Sequence, residues 1–197
     1  MNYSRPSIYC LIIIIFCLAC NSPFVTKPRG YFKINLPNHE YQTFNQPGYP
    51  YTFEYPVYAK VVKDSTFFEA KAENDWWINV DFPNFDSRIY ISYKSIANND
   101  FNKMVTDAYN LTYKHSQKAS SIDDSAFRTP TDVSGVMFKV GGNAATANQF
   151  FLTDSVHHFL RGALYFDAPP NEDSLQPVND FLRQDMQHLI NSFQWKK

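Results

Sequence analysis

Residues Val133–Phe166 read VSGVMFKVGGNAATANQFFLTDSVHHFLRGALYF. Val133–Val140 and Asn148–Thr153 are rich in Val, Phe and Met. They are separated by Gly141-Gly142-Asn143, residues that accept positive φ and let a chain reverse, so the two runs predict a β-hairpin. Asp154-Ser155 breaks the hydrophobic pattern again and predicts a second reversal before the longest run, His157–Phe166. Side chains alternate along a strand, which puts Phe159, Ala163 and Tyr165 on one face and Leu160, Leu164 and Phe166 on the other. Both faces are apolar, so segments from elsewhere in the chain must cover each of them.

Working outward, the candidate covers are two amphipathic helices. Phe101, Met104, Val105, Ala108, Leu111 and Thr112 recur at helical spacing to about His115, with Asn98, Asn99 and Asp100 available as caps. After Pro169-Pro170, a second apolar stripe runs from Leu175 through Phe181, Leu182, Met186, Leu189 and Ile190 to Phe193, with Asp173 and Ser174 as cap candidates and Pro177 expected in the first turn. Trp77–Phe82 and Arg88–Tyr93 predict another hairpin around Pro83–Asp86. Tyr51–Val62 reads as one edge strand, because Pro56 lacks the N–H that a central ladder needs. Tyr31–Leu36 is expected as a short strand, Asp64–Asp75 as a loop or weak strand, and Ser116–Asp132 as a polar connector. The expected fold class is α+β, a largely antiparallel sheet flanked by amphipathic helices.

The chain has 197 residues, 44% hydrophobic and 17% aromatic, enough to bury one sizeable core. A net charge of −1 offers no footprint for nucleic acid. At the N-terminus, Arg5 precedes an apolar run, Ile8–Ala19, shorter than the roughly 20 residues that span a bilayer, which marks residues 1–19 as a signal peptide. Its end, Cys17-Leu18-Ala19-Cys20, resembles a bacterial lipobox in which Cys20 is acylated and becomes the new N-terminus, with Cys17 standing where leucine is usual. Residues 20–30, with Pro23, Pro28, Gly30, Lys27 and Arg29, read as a solvated tether, leaving 31–197 as one globular domain. All three cysteines, Cys10, Cys17 and Cys20, lie in this leader, so the mature domain has no thiol for a disulfide, a nucleophile or a zinc site.

Motifs for other chemistry are sparse. His157 and His158 are adjacent in a strand and point to opposite faces, and His39, His115 and His188 fall in three separate segments without ligand spacing, so no metal or cofactor is expected. The chain lacks HExxH and the GxSxG elbow, and Asp81 and Asp86 beside a Pro-Asn turn read as turn groups before a glycosidase pair. Four residues stand out as partner or pocket candidates. Trp76 and Trp77 place one indole on each face of their strand, where one is an anchor for a partner or sugar unless both lie under helices. Arg161 sits inside the most apolar strand and needs a partner, for which Asp81 and Asp154 are the candidates.

Laid out in order, KPRGYFKINLP (Lys27–Pro37), YPYTFEYPVYA (Tyr49–Ala59), WINVDFPNFDSRIYISY (Trp77–Tyr93), TYKHSQKA (Thr112–Ala119) and GGNAATANQFFLTDSVHHFLRGALYF (Gly141–Phe166) make the chain resemble the gliding motility-associated lipoprotein GldD family. The resemblance implies an envelope lipoprotein, membrane-anchored by fatty acyl (palmitate) chains on Cys20. It would be needed for gliding and for the type IX secretion system, would contact other envelope proteins of that machinery, and would have no catalytic residues; Asn21-Ser22-Pro23 lacks the acidic cluster associated with surface export in this lineage, so the periplasmic side is expected. At the level of fold, the order of elements resembles the PsbP/Mog1 type of α/β sandwich. The rival expectations are an envelope lipoprotein that binds a glycan or apolar small molecule, and a cryptic hydrolase. In the phylum where the family occurs, exported proteins carry O-glycans at Asp-Ser/Thr-apolar sites, which makes Ser65 and Ser125, in the most polar segments, the expected acceptors.

Overall fold

The computed structural model of the chain describes residues 30–64, 66–67 and 70–196. The chain divides into two units, residues up to Ile34 and Asn35–Lys197, and every element named below lies in the second. The strands are β1 (Tyr41–Phe44), β2 (Tyr51–Pro56), β3 (Lys60–Lys63), β4 (Thr66–Phe67), β5 (Ala70–Lys71), β6 (Ile78–Phe82) and β7 (Ser87–Ser95) before the first helix, α1 (Phe101–Tyr113). After it come β8 (Ala119–Arg128), β9 (Ser134–Gly142), β10 (Asn148–Thr153), β11 (His158–Phe166), the second helix α2 (Glu172–Ser192) and β12 (Gln194–Trp195). The main sheet has seven strands in the order β3-β6-β7-β11-β10-β9-β8, a smaller sheet has the order β1-β2-β12, and β4 pairs with β5. All pairings are antiparallel. This is the α+β architecture that the apolar alternation predicts.

The hairpins at β6–β7 and β9–β10–β11 lie where the sequence places them. In the second reversal Ser155 takes φ of 64°, and the Asp154 carboxylate accepts the backbone N–H groups of Val156, His157 and His158 at 3.0, 2.8 and 2.9 Å. On β11, Gly162 leaves room for the ring of Phe150 across the ladder, which a Cβ would strike. Asp100 caps α1 by accepting from the N–H of Asn102 at 2.9 Å.

Four local expectations are corrected. Residues 31–36 have no regular structure. The single edge strand expected over Tyr51–Val62 is two strands in different sheets: β2 is central in the small sheet and ends at Pro56, where the missing N–H costs no ladder bond, and the chain turns before β3 joins the edge of the main sheet. The polar connector expected over Ser116–Asp132 contains the ten-residue strand β8. Its sequence, ASSIDDSAFR, has no apolar alternation because β8 is an edge strand, largely exposed and recruited by the backbone of β9. Helix α2 starts earlier than expected, capped by Asn171, so Pro177 lies inside the helix beyond its first turn.

One core fills the space on the α2 side of the main sheet. Ile78, Val80, Phe82, Ile89, Ile91, Leu152, Leu160 and Leu164 meet Leu182, Met186, Leu189 and Ile190 of α2, with Tyr51, Phe53 and Phe193 closing it against the small sheet. A second, smaller cluster lies on the opposite face, where Met104 and Ala108 of α1 cover Val136, Phe138, Phe151 and Phe159.

The N-terminal segment is fastened to α2 by a carboxylate. Asp185 is 1% exposed. It accepts hydrogen bonds from His39 Nδ1 at 2.6 Å, from the Tyr41 hydroxyl at 3.1 Å and from the Tyr58 hydroxyl. Burial, and then the charge of Asp185, pushes the Tyr41 phenol up to about 12, and burial followed by the same hydrogen bond pushes Tyr58 upward as well. Tyr41 also stacks on His188 at 3.5 Å between ring centroids, and His188 Nε2 lies 2.6 Å from Glu54. The histidines that the sequence leaves in separate segments, His39 and His188, therefore meet on either side of Tyr41.

Two predictions follow from these carboxylates. Asp185→Ala strands three donors at once and is expected to cost about 2–4 kcal/mol, against about 1 kcal/mol for Tyr58→Phe, in urea melts; equal losses would show that the carboxylate is no hub. For Asp154, burial works to raise the carboxyl pKa, but the three N–H bonds outweigh it and hold the group below the usual carboxylate range. A depressed folded value gives stability that is complete above the unfolded value near ~3.9 and fades as pH falls through the folded one. Asp154→Ala should thus cost about 1.5–3 kcal/mol at neutral pH and converge with the parent near pH ~2, whereas a pH-independent gap between the melts would contradict the linkage.

Candidate functional site at the half-covered face of the sheet

Helix α1 has 13 residues and a side-chain diameter of about 10 Å, while seven strands about 4.8 Å apart make a sheet roughly 29 Å wide. One helix cannot cover that face. It lies over β11, β10 and β9, and among the described residues no helix stands above β3, β6 and β7. Alternation puts Val62, Asn79, Asp81, Arg88, Tyr90, Ser92 and Lys94 on this half of the face, next to Arg161 and Tyr165 of β11.

This half of the face is built from paired polar groups and aromatic rings. Arg88 Nε is 3.0 Å from Asp81 Oδ1, and its guanidinium carbon lies 5.5 Å from the centroid of the Tyr90 ring. Tyr90 and Tyr165 meet edge to face at 5.6 Å. A cavity of about 580 Å3 opens at the ends of these strands, lined by Asp81, Asp86, Arg88, Tyr90, Tyr165 and Asp167. Asp86 is the left-handed residue of the β6–β7 turn, with φ of 43°, and its carbonyl accepts from Asp167 N at 2.7 Å, so it serves the turn.

A second hollow, about 460 Å3, runs between α1 and strands β7 and β11. Trp77, Met104, Leu111 and Phe159 supply apolar surface, and Lys94, Lys114 and Arg161 supply cations. Arg161 stands opposite Ser92 on β7 and Phe151 on β10. Its guanidinium donates to Gln149 Oε1, which also accepts from the Thr112 hydroxyl at 3.2 Å. Among the described residues it forms no ion pair. Burial lowers its pKa, and no carboxylate contributes an opposing charge. Its own charge adds to burial in pushing the nearby His115 imidazole below its ordinary value.

The structure separates the residues that the sequence singles out. Trp77 and Arg161 line the groove, Asp81 lines the other cavity, and Trp76 lies elsewhere, packed on Tyr93 at 5.3 Å and donating Nε1–H to the Gly48 carbonyl at 2.7 Å. The partner expected for Arg161 is corrected: Asp81 is taken by Arg88, Asp154 by backbone N–H groups of its own turn, and the observed acceptor is the neutral Gln149. His158 contacts the Tyr93 hydroxyl at 2.7 Å and stacks on Trp195, while His157 is exposed beside Asp154. Ser125 is exposed on β8. Cys20 and Ser65 lie outside the described residues. Gln149 and Thr112 are not legible as site residues, since they come from other elements and only the assembled fold brings them to Arg161. Among the described residues no group of His, Cys, Asp and Glu is placed to hold a metal ion, and no helix is long and apolar enough to cross a membrane.

The profile of the family described as "Gliding motility lipoprotein GldD" matches residues 21–195. No curated protein matches the sequence. Among solved structures, the chain is similar to the solution structure of cyanobacterial PsbP (CyanoP) from Synechocystis sp. PCC 6803, with 13% identity, a TM-score of 0.46, and coverage of 89% of this chain and 100% of that one.

Since Arg161 has no buried carboxylate to leave behind, Arg161→Met keeps an apolar stem and removes a desolvated charge, while Gln149 Oε1 retains Thr112. The variant is expected to melt within about 1 kcal/mol of the parent or above it. A loss beyond about 3 kcal/mol would show that the charge is paired in the folded protein.

Proposed function

The chain belongs to the gliding motility lipoprotein GldD family, and from that premise we propose that it is a non-enzymatic accessory component of the gliding and type IX secretion machinery that acts through protein–protein contacts. Acyl chains on Cys20 hold it at the membrane, and the domain faces the periplasm. The segment from Cys20 to Asn35 spans at most about 50 Å when extended, which sets how far from the lipid its contacts lie.

The observation that supports a contact role is the half of the main sheet over which, among the described residues, no helix lies. Protein interfaces are enriched in tyrosine, tryptophan and arginine at their centres and carry a polar rim. The surface around Tyr90, Tyr165 and Arg88 has that composition, and Val62, 46% exposed on the edge strand β3, borders it. Its charges are already paired with one another, so a partner can bury them without stranding one.

Two measurements test this reading in cells. A photo-crosslinking residue in place of Tyr90 is expected to capture envelope proteins, whereas the same residue in place of Gln184, exposed on α2, should capture none; capture at neither position, or equally at both, would remove the sheet face as the contact surface. Cys20→Ala should lose incorporation of a fatty-acid analogue and release a folded domain from the membrane, since each buried CH₂ of an acyl chain contributes about 0.8 kcal/mol to anchoring. Labelling equal to that of the parent protein would refute the anchor.

A further inference from the structure

We propose that the groove between α1 and strands β7 and β11 binds a small carboxylate with an apolar body, the carboxylate engaging Arg161. The inference stands apart from the protein contacts proposed above, which are read in the envelope, whereas this binding is read in the isolated protein.

A guanidinium carries five N–H donors in a planar fork that suits two carboxylate oxygens. In this domain the described residues give Arg161 one acceptor, a neutral amide oxygen on Gln149 that is shared with Thr112. Burial lowers the pKa of a charge so placed, and among the described residues that lowering is opposed by the Tyr165 phenol and by no carboxylate. The surrounding groups leave the compensation to come from outside. Lys114 and Lys94 also line the groove, and the one carboxylate lining it among the described residues, Asp107, is held by Lys103 at 3.1 Å.

The remaining wall fixes the other half of the ligand. Trp77, Met104, Ala108 and Phe159 present apolar surface beside the guanidinium, and Leu111, 39% exposed, stands at the rim. A hollow of about 460 Å3 falls within the roughly 300–1,000 Å3 of small-molecule sites. Apolar walls beside Arg161, with Lys94 already held by Glu73 at 2.8 Å, match a carboxylate with a hydrocarbon or aromatic body. A sugar would leave the apolar wall unused.

Three probes with one body and different heads separate these terms: 4-phenylbutyrate, 4-phenylbutanol and 4-phenylbutylamine, titrated calorimetrically into the full acylated protein in nanodiscs against empty nanodiscs. The acid is expected to bind at least tenfold more tightly than the alcohol or the amine. Arg161→Met should erase that preference while the protein melts no lower than the parent. Leu111→Glu, a change at the exposed rim, should weaken the acid and leave the alcohol nearly unchanged. Equal affinity for the three heads, no binding of the acid, or an Arg161→Met variant that binds the acid as the parent does would each overturn the proposal.

Discussion

The apolar two-sidedness of β11 governs the rest of the structure. Leu160 and Leu164 on one face and Phe159 and Ala163 on the other are all buried, so the strand is stable only between two covers. The covers are unequal. On one side α2, with 21 residues, and the small sheet together reach across the width of the core. On the other side the 13-residue α1 covers β9, β10 and β11 alone. The main sheet is therefore a complete wall seen from one face and a half-roofed one seen from the other, and both cavities discussed above lie on the half-roofed face.

What was legible in the sequence follows from where local pattern and tertiary demand agree. The strands β6, β7 and β9 carry their burial in alternation, β10 and β11 in apolar runs with two buried faces, and both helices carry an apolar stripe, so each element announces itself. β8 does not, because an edge strand needs backbone hydrogen bonds from a neighbour and little side-chain burial, and Asp123 and Asp124 on it keep the open edge soluble. The break at Pro56 was misread for a related reason: proline marks the end of a ladder as well as its edge, and only the pairing of β2 with β1 and β12 decides between them. Asp185 was read past altogether. It sits beside Met186 on the apolar stripe of α2, and its donors come from residues more than a hundred positions away.

Arg161 illustrates the opposite case, a residue that the sequence flags and the structure leaves without a structural motive. Other charged groups near it have local answers: Asp81 with Arg88, Lys94 with Glu73, Asp107 with Lys103. Local and global consistency is what makes a chain fold to one state, and departures from it concentrate where a protein does something else. A desolvated cation in the most apolar strand, supported only by Gln149 and Thr112, is a departure of that kind.

The buried carboxylate on α2 also decides how the domain bears tension. Tension applied to the chain ahead of His39 reaches His39 and its bond to Asp185 before any hydrogen bond of the β1–β2 ladder, whose first pair is Tyr41 with Pro56. The helix takes the load through side chains, and it passes that load into the main core through Leu182, Met186 and Leu189. Only when the clamp yields does β1 peel away, and peeling uncovers the stacked rings of Phe44 and Phe53. The domain thus carries a side-chain clamp at the end nearest the proposed Cys20 anchor, with an apolar surface behind it that opening of the clamp uncovers.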